Sequence, residues 1–380
     1  GRFYRSLMGR LFHYAASRVP EISDDLASID RAMRWGFSWE FGIFELWDVI
    51  GHENVMALWR EENQAAPPLL EKLLSSGGTR FYRNATGRNT VFNFSRGGYT
   101  AIQEQPGVLS LSRAKASRGE VKKNAGASLI DLGDGVLCLE FHSKMNTIGP
   151  DILEMIHAGV NLLGPQFEAM VIGNQAANFS AGANLMLLLL AIQAGEWDEV
   201  EESVRAFQNA NMALKYAVRP VVAAPFGLTL GGGVEISLHC ARRLAAAETY
   251  MGLVETSVGL IPAGGGTKEM LLRIADPTCG AADGDPWVPL KEVFANLGMA
   301  KVSSSATEAR KLRYLDPQDV ICMSRERQLE AAKQLALSLV TLNHSPAQRR
   351  EDVCVQGQGA FSSMKLGLHL MRRAERISDH

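Results

Sequence analysis

Two glycine-rich stretches, each with one acidic residue, decide the fold: Gly227-Leu-Thr-Leu-Gly-Gly-Gly-Val-Glu235 and Glu255-Thr-Ser-Val-Gly-Leu-Ile-Pro-Ala-Gly-Gly-Gly-Thr267. Each predicts a junction between a strand and a helix, where consecutive glycines let the backbone approach a ligand closely. The amides of a helix's first turn have no partner within the helix, so they can donate to an oxyanion. Taken alone, however, the glycines at residues 231–233 are explained more simply by a tight turn with close helix packing. The surrounding sequence must therefore distinguish a structural turn from an oxyanion-binding one.

The residues around these stretches alternate between strand and helix signals. Apolar, β-branched runs bounded by turn residues predict strands at residues 127–132, 136–141, 169–172, 220–224, 243–247 and 250–253. Apolar residues at helical spacing predict helices at residues 150–163 and 197–217 and from residue 231 onward. Strands and helices that alternate in this way indicate an α/β unit.

The chain is long enough for more than one folded unit, because its 380 residues exceed what one hydrophobic core usually supports. Residues 1–75 carry Trp, Phe, Leu and Met at helical spacing and predict a small all-α N-terminal domain. Fading periodicity and glycine pairs indicate a linker at residues 76–125. We expect the α/β core at residues 126–275 and a helical C-terminal region without further strands at residues 276–380.

The composition is that of an ordinary globular protein, with 46% apolar residues, 21% charged residues and a net charge of -2. A nucleic-acid-binding function is not expected, because such proteins usually show a basic excess or stripe. The five cysteines lack the spacing of a zinc site, which favours a reduced, metal-free, cytoplasmic protein. The longest apolar run, residues 185–192, is far shorter than the ~20 residues that span a bilayer.

A third segment, Asn178-Phe-Ser-Ala-Gly-Ala-Asn184, also follows a predicted buried strand and precedes an apolar helical stretch. It is a candidate source of a second backbone donor. Ser180 also has a weak resemblance to the serine nucleophile of the hydrolase motif G-x-S-x-G, although Asn178 replaces the first glycine. An ordinary turn serine is the better explanation, because no triad order follows downstream.

Together the three segments resemble the crotonase superfamily, which contains the enoyl-CoA hydratases and isomerases, over residues 126–275. The resemblance implies a crotonase-like ββα superhelix. It places the two backbone donors of the family's oxyanion hole at Ala183 and Gly232. It also places the two glutamates of the hydratases at Glu235 and Glu255, and implies that Glu235 activates water while Glu255 protonates the substrate's Cα atom.

The same resemblance implies contacts with coenzyme A from Lys144, Asn146, Ala181 and Gly265. A solvated surface lysine is an equally good explanation of Lys144. Two departures from the family pattern stand out: Asn184 replaces a common aspartate, and the loop reads Pro-Ala-Gly-Gly-Gly-Thr instead of Pro-Gly-Ala-Gly-Gly-Thr.

Residues 29–51 resemble the C-terminal helical domain of 3-hydroxyacyl-CoA dehydrogenases, with Ile43 in place of a usual proline. The chain lacks the strand-linked G-x-G-x-x-G of a dinucleotide-binding fold. Because it begins at Gly1 without a methionine, we interpret it as a fragment of a longer protein in which a dehydrogenase precedes a hydratase. NAD would then serve only the missing dehydrogenase half.

The resemblance implies that the chain hydrates trans-2-enoyl-CoA in fatty-acid β-oxidation. Its partner would be an acyl-CoA thioester, with coenzyme A as part of the substrate and no cofactor or metal bound for hydration. A homo-oligomer of the family's trimer type is a further implication. Two alternatives stay open: a 3,2-enoyl-CoA isomerase, in which one glutamate moves a proton and no water adds, and a non-catalytic scaffold that binds acyl-CoA.

Overall fold

The computed structural model describes residues 2–85, 88–102, 105–275, 287–351, 353 and 355–379. The chain divides into two compact units, Gly1–Gln105 and Pro106–His380. The predicted domain boundary at residue 276 lies outside the described residues. Within the described part of the chain, no helix has both the length and the apolar composition that crossing a membrane requires.

The first unit is mainly helical. Its helices in the described residues are α1 Arg2–Ser17, α2 Leu26–Phe37, α3 Ile43–Ile50, α4 His52–Glu61 and α5 Pro68–Ser75. Their buried faces meet in an aromatic core, in which the rings of Trp47 and Trp59 lie 5.2 Å apart, edge to face. Ile43 is buried as the first residue of α3, a position that also suits proline because its amide needs no partner there.

The predicted linker at residues 76–125 contains regular structure that the sequence pattern did not reveal. Strands β1 Tyr82–Ala85, β2 Arg88–Asn93 and β3 Gly98–Ala101 form an antiparallel sheet in the first unit. Phe81, Val91 and Phe92 join the helical core. The prediction of a linker is wrong for the residues of this sheet. A few buried side chains are enough to stabilise its short strands, although the segment as a whole is largely polar.

The second unit carries the predicted α/β core. Its strands are β4 Glu120–Lys123, β5 Ala127–Asp131, β6 Val136–Phe141, β7 Ala169–Ile172, β8 Val221–Ala223, β9 Gly227–Leu230, β10 Arg242–Ala246, β11 Thr249–Gly252 and β12 Val320–Cys322. Seven of them form one sheet in the order β12-β10-β8-β7-β6-β5-β4, and β9 pairs separately with β11 in parallel. The mixed α/β class is therefore confirmed.

Helices cover both faces of the seven-stranded sheet. The helices of this unit are α6 Leu111–Arg118, α7 Pro150–Leu162, α8 Leu185–Ala194, α9 Trp197–Lys215, α10 Gly232–His239, α11 Gly266–Ala275, α12 Trp287–Gly298, α13 Ala306–Lys311, α14 Gln328–Thr341 and α15 Gly357–Arg373. Successive side chains of a strand point to opposite faces. Accordingly, Leu129 of β5 packs with Ile152 of α7 in one cluster, and Ile130 lies with Ala332 of α14 in another.

The helical character of the C-terminal region is confirmed by α12 to α15. The expected absence of strands beyond residue 276 is wrong, because Val320–Cys322 extends the large sheet by pairing in parallel with β10. The residues of this strand are apolar, but a run this short does not distinguish a strand from a loop or a helix end.

Candidate active site

A tight turn joins β9 to α10 and positions the first predicted donor. Gly231 has φ 49° and ψ -119°, a conformation that glycine adopts readily because it has no Cβ. A Cβ at Gly231 would lie 2.9 Å from Oε1 of Glu255, so the glycine also leaves room for that carboxyl. Gly232 is the first residue of α10, where the amide has no acceptor within the helix.

The second predicted donor, Ala183, lies beside this turn. Ile148 donates its amide to the carbonyl of Gly182 at 2.8 Å, and Asn184 donates to the carbonyl of Ile148 at 3.0 Å. A Cβ at Gly232 would lie 3.3 Å from the amide nitrogen of Ala183. The two predicted oxyanion donors are thus brought together, and within the described residues neither amide donates a hydrogen bond to another backbone group.

Glu235 is buried one turn into α10, with 2% of its surface exposed. Its Oε1 accepts a hydrogen bond from the amide of Gly266 at 2.8 Å. Burial, together with the charge of Glu255, raises the pKa of Glu235 to about 7. The carboxyl therefore exchanges a proton near neutral pH, as an acid–base catalyst must.

Glu255 begins a short 3₁₀ helix, Glu255–Val258, that follows β11. Its Oε2 is buried and has no hydrogen-bond partner in the described structure. Burial raises the pKa of Glu255 to about 6. The charge of Glu255 acts on Glu235, so the two carboxyls lie within electrostatic range of each other.

The residues predicted to contact coenzyme A fall into two places. Lys144 is exposed, and Asn146 is buried with its side-chain amide donating to the carbonyl of Asn178 at 3.0 Å. Ala181 is half-buried beside this segment, whereas Gly265 lies in the separate loop that contacts Glu235. Asn146 uses its amide within the protein, and a contact of any of the four with coenzyme A stays a prediction.

Ser180 is a structural residue in this arrangement. It is fully buried, its Oγ donates to the carbonyl of Asn146 at 2.7 Å, and the same atom accepts the amide of Gly182 at 3.1 Å. The hydroxyl therefore fixes the segment that carries Ala183. Its donor is already used and solvent does not reach it, so the geometry does not support a nucleophile.

We expect the Ser180→Ala variant to hydrate a trans-2-enoyl-CoA, the reaction that the resemblance implies, with a kcat within about tenfold of the parent value. The free energy of unfolding should fall by about 1–3 kcal/mol, because the buried hydroxyl and its two hydrogen bonds are lost. Kinetics and chemical denaturation of the same preparation measure both quantities. A loss of activity by several orders of magnitude, in a protein that stays folded, would instead indicate a nucleophilic serine.

Helix α9 also contributes to this site, although no motif in its sequence indicates it. Phe207 faces the turn, since a Cβ at Gly232 would lie 2.9 Å from the Cζ atom of its ring. Asn211, one helical turn later, is fully buried and donates to the carbonyl of Gly264 at 2.8 Å. The spacing of four residues places both side chains on one face of the helix, but it does not reveal what that face contacts.

A cavity of about 560 Å³ lies at the other end of α10, where its lining includes Leu238, Lys268 and Glu269. None of the four predicted catalytic residues lines it. The candidate active site is therefore defined by the convergence of two carboxyls and two amides, and not by this cavity.

Part of the chain is similar in sequence to a known protein family. Residues 135–280 match the sequence model of the family described as enoyl-CoA hydratase/isomerase. This part of the chain, which contains both glutamates and both amides, is therefore an enoyl-CoA hydratase/isomerase domain of the crotonase superfamily.

Two curated relatives match a larger part of the chain. The chain is 42% identical over 380 residues to a probable 3-hydroxyacyl-CoA dehydrogenase of Bacillus subtilis, a match that covers 100% of this chain and 47% of the relative. It is 29% identical over 273 residues to a putative fatty acid oxidation complex trifunctional enzyme of Rickettsia felis, covering 72% of this chain and 35% of that protein. The chain thus spans about half or less of these relatives' lengths.

Among solved structures, an enoyl-CoA hydratase from Polaromonas sp. JS666 aligns with a TM-score of 0.47 at 22% identity, covering 57% of this chain and 77% of that chain.

Proposed function

We propose that the second unit adds water across the trans-2 double bond of an enoyl-CoA thioester. The observation that carries the proposal is the meeting of two proton-exchanging carboxyls, Glu235 and Glu255, with two unused backbone amides, Ala183 and Gly232. The match of residues 135–280 to the enoyl-CoA hydratase/isomerase family supports a reaction of an enoyl-CoA, either hydration or isomerisation.

Each pair of groups has one task. Hydration develops negative charge on the thioester oxygen as an enolate forms, and amides aimed at that oxygen stabilise the charge where it appears. Ala183 and Gly232 supply those amides. The ionised carboxyl of the pair takes a proton from water as the water oxygen bonds to Cβ, and the protonated carboxyl gives its proton to Cα. The pair holds one proton before and after the reaction.

The proton must occupy the correct carboxyl. In the ligand-free protein the higher pKa of Glu235, about 7 against about 6 for Glu255, keeps a shared proton mainly on Glu235. The family resemblance assigns the reverse order, with Glu235 ionised to activate water. We infer that the thioester moves the proton to Glu255, because covering the part of this half-buried side chain that solvent still reaches further disfavours the charged form.

We expect a bell-shaped dependence of kcat/KM on pH with its maximum between the two values, about 6 for Glu255 and about 7 for Glu235. At lower pH both carboxyls are protonated and no base is present. At higher pH both are ionised and no acid is present. Rates should fall about tenfold per pH unit on each outer limb, measured as the loss of enone absorbance from crotonyl-CoA. A flat profile between about pH 5 and about pH 9 would contradict a shared proton.

A 3,2-enoyl-CoA isomerase is the competing activity, and one comparison separates the two. A hydratase consumes the enone of crotonyl-CoA, whereas an isomerase leaves crotonyl-CoA unchanged and creates an enone from a 3-enoyl-CoA. A scaffold that only binds acyl-CoA does neither. Absence of crotonyl-CoA hydration by the folded protein would end the proposal.

The wider role follows from the relatives. We propose that the chain acts in fatty-acid β-oxidation, because its matches bear dehydrogenase and fatty acid oxidation names. In this proposal coenzyme A enters as part of the substrate, hydration needs no bound cofactor, and NAD serves only a dehydrogenase step carried out elsewhere in the natural protein.

A further inference from the structure

The loop of residues 262–266 is attached to helix α9 by two side-chain amides. Gln208 donates from Nε2 to the carbonyl of Ala263 at 2.7 Å. Asn211 donates from Nδ2 to the carbonyl of Gly264 at 2.8 Å. The two donors are three residues apart on one helix face, and the two acceptors are consecutive in the loop.

These bonds orient the amides that face Glu235. A peptide unit is planar, so the carbonyl of one residue fixes the direction of the next residue's N–H. Gln208 therefore orients the amide of Gly264, and Asn211 orients the amide of Gly265. Gly266 donates its amide to Oε1 of Glu235 at 2.8 Å, and a Cβ at Gly264 would collide with Oε2, so the loop backbone lies directly against the carboxyl. The amides of this loop lower the pKa of Glu235 against the effect of burial.

The loop is also enclosed on its other sides. A Cβ at Gly264 would collide with the ring of Phe207, and a Cβ at Gly265 would lie 2.6 Å from Cε1 of His239. His239 in turn lies with Nδ1 2.6 Å from the carbonyl oxygen of Glu235. The loop is therefore closely packed between α9 and α10, so that a small rotation of its peptide planes changes what Glu235 contacts.

Asn211 is a polar residue in a buried position. Its side chain is fully buried, and its Oδ1 has no hydrogen-bond partner in the described structure. A buried unsatisfied oxygen is unfavourable, so its presence calls for an explanation. The bond from Nδ2 to Gly264 supplies one.

We propose that Asn211, assisted by Gln208, is a positioning residue that aligns the amides of Gly264 and Gly265 with the Glu235 carboxylate and thereby stabilises the ionised form that activates water. The catalytic consequence rests on the function proposed above. The positioning itself does not, because it concerns the proton affinity of Glu235 in the ligand-free protein.

Other charged groups around Glu235 act separately from this effect. Glu255 raises the pKa of Glu235 through its charge. His239 stays neutral near pH 7, because burial lowers its pKa to about 4, and its Nε2 lies 3.0 Å from Nζ of Lys268. Glu269 lies beyond His239, with Oε1 3.4 Å from the same ring nitrogen. None of these groups is altered when Asn211 is replaced.

The test is a titration of the Glu235 carboxyl by carbon NMR in protein labelled with ¹³C-glutamate, with the signal assigned by its loss in Glu235→Gln. We expect Asn211→Leu to raise the pKa of Glu235 above that of the parent by about 0.5 unit or more, because the carboxylate loses oriented donors. Asn209→Leu, on the exposed side of the same helix, is the matched control and should titrate like the parent.

If Asn211→Leu does not fold, a second variant tests the proposal. Gln208 is exposed, so Gln208→Ala should fold and should raise the pKa of Glu235 in the same direction by a smaller amount. An unchanged titration of Glu235 in folded Asn211→Leu, or in Gln208→Ala if the first variant is unfolded, would overturn the proposal. The titration needs no substrate, so a parent protein without hydratase activity would refute the proposed function and leave this result standing.

Discussion

Crotonyl-CoA hydration by the Glu255→Gln variant is expected to fall about 10²- to 10⁴-fold in kcat, with little change in KM. Gln keeps the shape of the side chain but carries no transferable carboxyl proton, so Cα has no donor. Oε2 of Glu255 is buried without a partner, and no structural hydrogen bond to that atom is lost. Glu235→Gln should lose a similar factor, because water then has no base.

The loss of enone absorbance measures both variants, and circular dichroism checks that each is folded. Glu248→Gln is the matched control, because Glu248 is exposed in the short connection between β10 and β11 and should leave the rate unchanged. Near-parental hydration by Glu255→Gln or by Glu235→Gln would remove that residue from the mechanism. Retention of 3-enoyl-CoA isomerisation in one variant would show that a single glutamate suffices for that reaction.

Much of the α/β core could be predicted because buried strands leave a local signal. The apolar run at residues 169–172 became β7 Ala169–Ile172, buried at every position, and the strand predicted at residues 136–141 became β6 Val136–Phe141. Turn glycines and apolar runs lie close together in sequence, so a short window contains the whole signal. The positions of the two predicted donors came instead from the resemblance of short glycine-rich segments to the crotonase superfamily.

The parts that could not be predicted depend on contacts between distant residues. Asn211 bonds to the carbonyl of Gly264, 53 residues away, and no sequence spacing indicates that pair. The direction of the pKa shift of Glu235 likewise depends on burial that only the fold creates. Strand β12 was missed because an apolar run of three residues is too short to indicate a strand without its pairing partner β10.

Removing the amide hydrogen of Gly232 is expected to lower kcat about 10²- to 10³-fold, the usual effect of deleting one oxyanion donor. Gly232→Pro makes this change with little damage to the helix, because Gly232 is the first residue of α10 and proline is well tolerated there. The preceding Gly231, at φ 49° and ψ -119°, has no Cβ to clash with the proline ring.

Gly232→Ala is the control that isolates the hydrogen. Alanine and proline both add a Cβ, which would lie 2.9 Å from the ring atom Cζ of Phe207, so both push the same flexible side chain. Only proline lacks the N–H. The contact of the Cβ with Phe207 is common to both variants, so the ratio of kcat between them measures the loss of the N–H together with the ring carbon Cδ that takes its place in proline. Equal rates for folded Gly232→Pro and Gly232→Ala would mean that the thioester oxygen does not accept a hydrogen bond from this amide.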